Sequence, residues 1–456
     1  MDELFPYQKE GAQWLTTKRF ALLADEPGLG KSAQAIVAAD RIGAQRIVVL
    51  CPASVRINWT REFAKWSKLN RSLRAVLGAG KDVDIARGLN GSVTVCSYDL
   101  TLRTSSSIHF PDSIDTLILD ESHYLKSIDA KRAHAVLATG GLVHRAARTW
   151  ALSGTPAPNH SGELYPLLRT FGATPFKYDG FVDRYCTTRH TPFGPQITGS
   201  KNFAELRAIL APIMLRRKKV DVMSQLPAIF YSDLVVEPAV VDEEMFFPDY
   251  YLTKQVELLH DKLRQERTAV EAVLNTTGTG RDGLRIMEGM AKSVSTLRRY
   301  IGLQKTPAVI DIIKGELESN AYDKLVIFAI HRDVIESLRV GLSKFKPVTL
   351  YGGTPADKRQ QNIDKFVKDK RCKVFIGNIQ AAGTGIDKLQ TVCHNAVFLE
   401  TEWVPGLNAQ AVMRLHRIGA MGMPVNVRIV SVADSLDEQI ARVLRRKTKD
   451  LTEIFD

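Results

Sequence analysis

An α/β chain with two parallel-sheet lobes is the fold this sequence predicts, and three observations lead there. Short apolar runs of β type alternate with helical or loop stretches through residues 20–150. The same alternation returns over residues 324–431, and a stretch of different character separates the two sets. Strands regularly interrupted by helical segments pair in parallel through crossovers, because only antiparallel neighbours can be joined by a tight turn.

The first set of runs is Ala21–Ala24, Arg46–Cys51, Ser92–Ser97, Thr116–Asp120 and Thr149–Ser153; the second is Lys324–Ile330, Val348–Tyr351, Lys373–Gly377, Ala396–Leu399 and Asn426–Ser431. Between them, residues 171–205 hold many Gly, Pro, Thr and aromatic residues and read as an elaboration, not a sheet. Ala204–Met214 reads as helix and runs into the basic stretch Arg216–Lys219. Residues 242–270 favour helix, Asn275–Gly283 is a Gly/Thr-rich break, and helical pattern resumes from Leu284 to about Tyr300, which suggests a helical protrusion. The expected domains are a first lobe at 1–225 with an insertion at about 171–205, a linker and protrusion at 226–305, and a second lobe at 306–456. No fixed-period repeat is present, which excludes a solenoid.

A chain of 456 residues exceeds a single core, and 45% hydrophobic against 25% charged residues excludes wholesale disorder. The formal net charge of +12 favours a polyanionic partner, since clustered Lys and Arg release counterions from a phosphate backbone. The cysteines Cys51, Cys96, Cys186, Cys372 and Cys393 are far apart, without C-x-x-C or metal-ligand spacing, and read as free thiols of a reducing compartment. With no basic-then-apolar leader and no run near the ~18 apolar residues of a membrane span, a soluble intracellular protein is expected. That means the cytoplasm in a bacterial or phage setting and the nucleus in a eukaryotic one.

The sharpest local signal is Ala24-Asp25-Glu26-Pro27-Gly28-Leu29-Gly30-Lys31-Ser32, directly after one apolar run and before the helical stretch Ala33–Ala39. Gly28 and Gly30 permit backbone angles that turn amides toward phosphate. Lys31 can reach the outer phosphates, and Ser32 can ligate magnesium. The general phosphate-loop pattern is met in part, since Asp25 takes the place of its first glycine. Further on, the strand of Leu117-Ile118-Leu119 delivers the adjacent carboxylates Asp120 and Glu121. Asp120 suits magnesium through water, and Glu121 suits polarisation of an attacking water. In the second set, Gln410–Gly419 carries Arg414 and Arg417, which share a face if the stretch is helical. Two guanidinium groups there suit charge stabilisation on a transferring phosphoryl group, making hydrolysis depend on lobe closure.

These residues resemble the superfamily 2 helicases, and specifically the Swi/Snf-type helicase-like ATPases. Phe5-Pro6-Tyr7-Gln8 is similar to the adenine-reading Q motif, Asp25–Ser32 to motif I and Cys51–Ser54 through Trp59 to motif Ia. Asp120-Glu121-Ser122-His123 is similar to motif II, Leu152–Pro156 to motif III, Ala381–Asp387 to motif V and Gln410–Gly419 to motif VI. The resemblance runs from about Phe5 to near Arg446. Met214–Lys219 followed by Leu226-Pro227 looks like the arginine-rich segment that joins the lobes. Leu152–Tyr165 and Ile209–Pro227 look most like the compact annealing-helicase group, in which short phage-encoded members occur. Pro27 stands where Met is usual, Ser32 replaces Thr, and Ala420 replaces a Gln after motif VI.

The resemblance implies two RecA-like parallel-sheet lobes with an ATP cleft between them and helical insertions, with ATP and Mg2+ as cofactors. It implies that Gln8, Leu29, Gly385 and Asp387 join the phosphate loop in holding nucleotide, and that Ser153, Thr155 and Gln410 couple hydrolysis to DNA grip. It also places DNA against Ser54, Arg56, Ser97 and Tyr98 of the first lobe and His331, Arg332, Gly353, Thr354 and Thr384 of the second. Such groups contact phosphate and read little sequence, so binding should be salt-sensitive. The expected activity is that of an ATP-dependent duplex-DNA translocase that remodels branched DNA, by junction migration, fork regression or annealing. It would act as a monomer with double-stranded and branched DNA as partners. The alternatives are a translocase that displaces or repositions DNA-bound proteins, an RNA helicase, and a DNA-binding scaffold without turnover.

Overall fold

The computed structural model describes residues 3–76, 91–103, 110–191, 194–223, 227–241, 281–383, 386, 388–417, 419–420, 422–433 and 435–455. The chain divides into two compact units, one of Met1–Thr187, Gly199–Ser224 and Asp450–Asp456, the other of Thr188–Thr198 and Gln225–Lys449.

The chain opens with α1 (Pro6–Thr16), β1 (Phe20–Leu23), α2 (Lys31–Arg41), β2 (Arg46–Cys51), α3 (Arg56–Trp66), β3 (Ser72–Ala75), β4 (Ser92–Ser97) and β5 (Ile114–Asp120). It continues through α4 (Lys131–Leu137), β6 (Ala146–Leu152), α5 (Tyr165–Thr170), α6 (Tyr178–Tyr185), β7 (Cys186–Thr191), β8 (Gly194–Ser200), α7 (Phe203–Leu210) and β9 (Met214–Leu215). In the first unit the strands lie in the order β3-β4-β2-β5-β6-β1-β9, every pair parallel. Both faces are covered, so successive residues enter opposite cores. Val48, Leu50, Leu117 and Leu119 face one, while Ile47, Val49, Cys51 and Ile118 face the other. Each such fully buried Leu or Ile contributes about 2 kcal/mol.

The second unit holds β10 (Ile229–Val236), β11 (Leu325–Ala329), β12 (Val348–Leu350), β13 (Val374–Asn378), β14 (Asn395–Phe398) and β15 (Val425–Val432). They form a parallel sheet in the order β10-β15-β14-β11-β13-β12. Again two cores flank it, one around Ile327, Val397 and Val430, the other around Phe328, Phe375 and Phe398. The two-sheet α/β architecture expected from the alternating runs is thus present.

Several local expectations are corrected. Within 171–205, β7 and β8 make a two-stranded sheet, although that stretch was expected to hold none. The prolines of that stretch weigh against a strand, but in a sheet with only edge strands a residue without an N–H is tolerated. The helix expected to reach Met214 stops at Leu210, because backbone pairing recruits the following residues. The Leu22 amide donates to the Ile213 carbonyl and the Ala24 amide to the Leu215 carbonyl, both at 2.7 Å. β10 escaped notice because it is an edge strand with Phe230, Tyr231 and Val235 exposed, and so lacks a buried apolar run. Of the protrusion, residues 242–280 lie outside the described residues. The helix expected to end near Tyr300 spans Arg281–Glu318 without stopping at Pro307. The Thr306 hydroxyl serves the Gly302 carbonyl and the Ala239 amide serves that of Gln304. Beyond the proline, Val309, Ile313 and Leu317 are buried.

All five cysteines are buried free thiols. Among the described residues, no helix is long and apolar enough to cross a membrane.

The ends of β11 and β14 are joined by one carboxylate. Glu400 is 4% exposed and accepts the amides of Ile330 and His331 at 2.7 and 2.9 Å on Oε2, while His331 Nδ1 lies 2.6 Å from Oε1. Burial alone would raise this carboxyl, but the bond and charge of His331 and the two amides hold it below its ordinary value. A depressed folded-state pKa adds stability above the unfolded carboxyl range, and that stability is lost as pH falls through the folded value. Glu400→Ala should therefore destabilise the second unit by about 3 kcal/mol near neutrality. Urea unfolding monitored by hydrogen exchange should find the gap from wild type narrowing as pH falls below about 4; a gap independent of pH would contradict this account of Glu400.

Candidate functional site

In a parallel sheet the loops leaving the C-terminal strand ends share one edge. Here the adjacent strands β5, β6, β1 and β9 deliver, in that order, Asp120-Glu121, Ser153-Gly154-Thr155, the loop Asp25–Gly30 and the pair Arg216-Arg217. Leu152 of β6 stands opposite both Asp120 and Leu23, so the motifs leave the sheet at the same level.

The loop after β1 turns on Gly28 and Gly30, at φ 93° and 73°, and Gly30 caps α2 in the left-handed region. A Cβ at Gly30 would collide with the Gln8 carboxamide. Gln8, from α1, donates to the Leu29 carbonyl at 3.2 Å and accepts the Phe5 amide at 3.0 Å, so α1 holds the loop from above. Lys31 Nζ donates to the carbonyls of Asp25 at 2.7 Å and Glu26 at 3.4 Å. Burial, partly offset by the charges of Glu121, Asp25 and Asp120, holds its ammonium below the ordinary lysine value. Ser32 follows in the first turn of α2, half-buried. The geometry fits a polyphosphate: a helix N-terminus, a loop where a side chain cannot enter, and a lysine resting on backbone carbonyls.

Asp25 is fully buried and is met end-on by Arg217, with Nε 3.0 Å from Oδ1 and Nη2 2.6 Å from Oδ2. Gln34 of α2 donates to the same carboxylate at 3.0 Å and accepts from Arg217 at 2.7 Å. Arg217 also bonds the Tyr7 carbonyl and lies over the Tyr7 ring. Arg216 donates to the carbonyl of Ala24 at 3.0 Å and to that of Gly154 at 3.4 Å.

At the end of β5, the Asp120 carboxylate takes the Trp59 indole N–H at 2.7 Å and the Glu121 amide at 3.0 Å, while the Tyr98 hydroxyl donates to its backbone carbonyl at 2.8 Å. Burial first and the neighbouring Glu121 second push the Asp120 carboxyl up to about 7, against the pull of Trp59 and Lys31. A bound divalent cation would favour its ionised form. Glu121 sits at φ 49°, a left-handed conformation rare for a side-chain-bearing residue and typical of functional turns. His123 Nδ1 lies 3.3 Å from Glu121 Oε2 and 3.1 Å from the buried Ser153 hydroxyl, which also accepts the Thr155 amide at 3.2 Å. A continuous polar chain therefore runs from the second carboxylate into the loop after β6.

Among the first-unit DNA candidates, Ser54 is exposed, and Arg56 is partly exposed with its guanidinium on the carbonyls of Ala53 and Val76. Ser97 and Tyr98 are 3% and 1% exposed, and the Tyr98 hydroxyl is committed to Asp120. Their expected role as DNA contacts is corrected, since neither side chain reaches the surface, and Tyr98 instead bonds the acidic turn.

In the second unit, exposed Arg332 lies over the Tyr351 ring, whose residue begins the turn Tyr351–Thr354 that also carries exposed Gly353. His331 is held by Glu400. The helix expected over Gln410–Gly419 is corrected: it spans Pro405–Val412, keeping buried Gln410 but not the arginines. Tighter turns follow, with the Arg414 amide bonding the Ala411 carbonyl and that of Leu415 bonding Val412, while His416 Nε2 lies 2.7 Å from the Pro227 carbonyl. Burying Leu415 and His416 outweighs regular helix there. Arg414 and Arg417 nevertheless converge, each donating to the Ile386 carbonyl at 3.3 Å. Thr384, Gly385 and Asp387 lie outside the described residues.

Sequence reasoning gave no site role to Arg216, Arg217, Gln34 or Trp59; the two arginines and Trp59 reach the site from a distance in the chain, and Gln34 matters through its bond to Arg217. The one available signal was Asp25, an acidic residue where the pattern has glycine and therefore in need of a cation. Gly154 also finds its reason: a Cβ there would lie 2.6 Å from the Pro27 ring. Gly154→Ala should thus displace the loop at a cost of about 1.5 kcal/mol, roughly tenfold in nucleotide affinity, with partial recovery when Pro27→Ala is added. Equilibrium nucleotide binding by the single and double variants checks this, and unchanged affinity in Gly154→Ala would refute it.

A family model described as the SNF2-related domain matches residues 7–284, and one described as the helicase conserved C-terminal domain matches 304–419. The chain is similar to the SWI/SNF-related matrix-associated actin-dependent regulator of chromatin subfamily A-like protein 1 of Xenopus laevis, with 29% identity over 98% of this chain and 44% of that protein. It is likewise 29% identical to the human DNA annealing helicase and endonuclease ZRANB3, over 98% of this chain and 40% of the other. The chain thus spans less than half the length of these relatives. A solved structure, the Sulfolobus solfataricus SWI2/SNF2 ATPase core in complex with dsDNA, is 21% identical, covering 100% of this chain and 97% of that one at a TM-score of 0.44. With the first model matching more than half of its residues, the chain belongs to the SNF2-related family.

Proposed function

We infer that the chain is an ATP-driven motor on duplex DNA that remodels branched DNA by junction migration, fork regression or annealing. The observation that carries the reading is the shared sheet edge, where Lys31, Asp120, Glu121 and Ser153 emerge from neighbouring strands and interact. Family membership supports the polymer, and the name of the annealing-helicase relative supports the branched substrate.

In this reading the loop amides and Lys31 bind the outer phosphates of ATP, and Gln8 with Leu29 borders its base. Gly385 and Asp387 are assigned to the same nucleotide. Ser32 and Asp120 hold Mg2+, which supplies positive charge to the phosphates when bound. Glu121 orients water, and Arg414 with Arg417 stabilises charge on the transferring group. Through His123, Ser153 and Thr155 feel the state of Glu121, and Gln410 serves coupling in the second unit. Ser54, Arg56, Arg332, Gly353 and Thr354 are the DNA-facing candidates, with His331 oriented by Glu400 and Thr384 assigned alongside them.

Steady-state ATP hydrolysis with no polymer, single-stranded DNA, linear duplex, a four-way junction or RNA tests the reading. Duplex should stimulate strongly and the junction more, while Lys31→Ala should lose about 100-fold or more throughout. Stimulation by RNA alone, or rates no higher than those of Lys31→Ala, would overturn it. Displacement of a DNA-bound protein with no action on naked junctions would select the protein-remodelling alternative.

A further inference from the structure

The function just inferred gives Asp120 to the cation, and the surroundings of Asp120 identify what aims it. Its Oδ2 accepts the Trp59 indole N–H at 2.7 Å. An indole nitrogen donates and never accepts, so this contact forms only with the carboxylate oxygen turned to it. The ring cannot follow the carboxylate if that rotates. Trp59 is 2% exposed, sits one turn into α3, and packs in the core that includes Phe63, Val49 and Val95. Among the described residues the other holds on Asp120 are the backbone amide of Glu121 on Oδ1 and the Tyr98 hydroxyl on the backbone carbonyl, neither of them a side chain bonded to the carboxylate. Trp59 is therefore the side chain that sets the carboxylate plane.

We propose that Trp59 is a positioning residue for the divalent cation, holding the Asp120 carboxylate in the orientation that the cation and its water require. The proposal rests on the nucleotide reading of the site. Groups of this kind around a metal carboxylate change metal affinity by about 10- to 100-fold when removed.

Trp59→Phe keeps most of the buried ring and removes the donor. Trp150→Phe is the matched control: Trp150 is equally buried in the same core, but its indole N–H serves the Lys18 carbonyl. In the full chain, binding of a fluorescent ATP analogue is titrated with Mg2+, and the melting temperature of each variant is recorded without nucleotide. Trp59→Phe should raise the half-saturating Mg2+ by about tenfold. Trp150→Phe should leave that midpoint where wild type has it while melting lower. A Trp59→Phe curve that overlays wild type, or an equal shift in Trp150→Phe, would overturn the proposal. Wild-type binding with no dependence on Mg2+ would also overturn it, whereas no binding of the analogue by wild type at any Mg2+ would instead sink the nucleotide reading beneath it.

Discussion

The buried pair of Asp25 and Arg217 is the interaction on which the nucleotide side of the first unit depends. Asp25 has no exposure to water, and its charge is met by a guanidinium 192 residues further along the chain. Losing either partner would strand a buried charge, the costly half of any internal ion pair. Because Arg217 also bonds Tyr7 and Gln34, the same pair fixes α1 over the loop and α2 behind it. β9, which carries Arg217 into place, exists as a strand because β1 pairs with it. The phosphate loop is thus clamped between the strand it leaves and the segment that returns beside it.

From this clamp the rest of the edge follows in order. Arg216 ties Ala24 to Gly154, Gly154 leaves room for Pro27, and Ser153 next to it reaches His123 and Glu121. At the far side of Asp120, Trp59 and Tyr98 arrive from α3 and from the end of β4. The first of these also carries Arg56, just behind Ser54. A change at either segment therefore has a short covalent and hydrogen-bonded route to the acidic turn, the arrangement a polymer-stimulated enzyme needs.

Much of this was legible in the sequence, and the failures have physical causes. The buried strands announced themselves as apolar runs, and Arg46–Cys51 and Ser92–Ser97 coincide with β2 and β4 residue for residue. The edge strand β10 did not, since its Phe230, Tyr231 and Val235 are exposed. Lys31, Asp120 and Glu121 were readable because their chemistry demands fixed neighbours in the chain. Arg217, Gln34 and Trp59 were not, because what makes them matter is a partner distant in sequence. Tyr98 was expected against DNA from the family resemblance, since nothing local tells that its hydroxyl faces Asp120.

The central claim, that hydrolysis drives movement along duplex DNA, is tested most directly by displacement of a third strand from a triplex placed ahead on linear duplex. Wild type with hydrolysable ATP should release the third strand, and Lys31→Ala or a non-hydrolysable analogue should leave it bound. Vigorous duplex-stimulated hydrolysis that never releases the third strand faster than the ATP-free control would contradict a motor and leave only a DNA-stimulated ATPase.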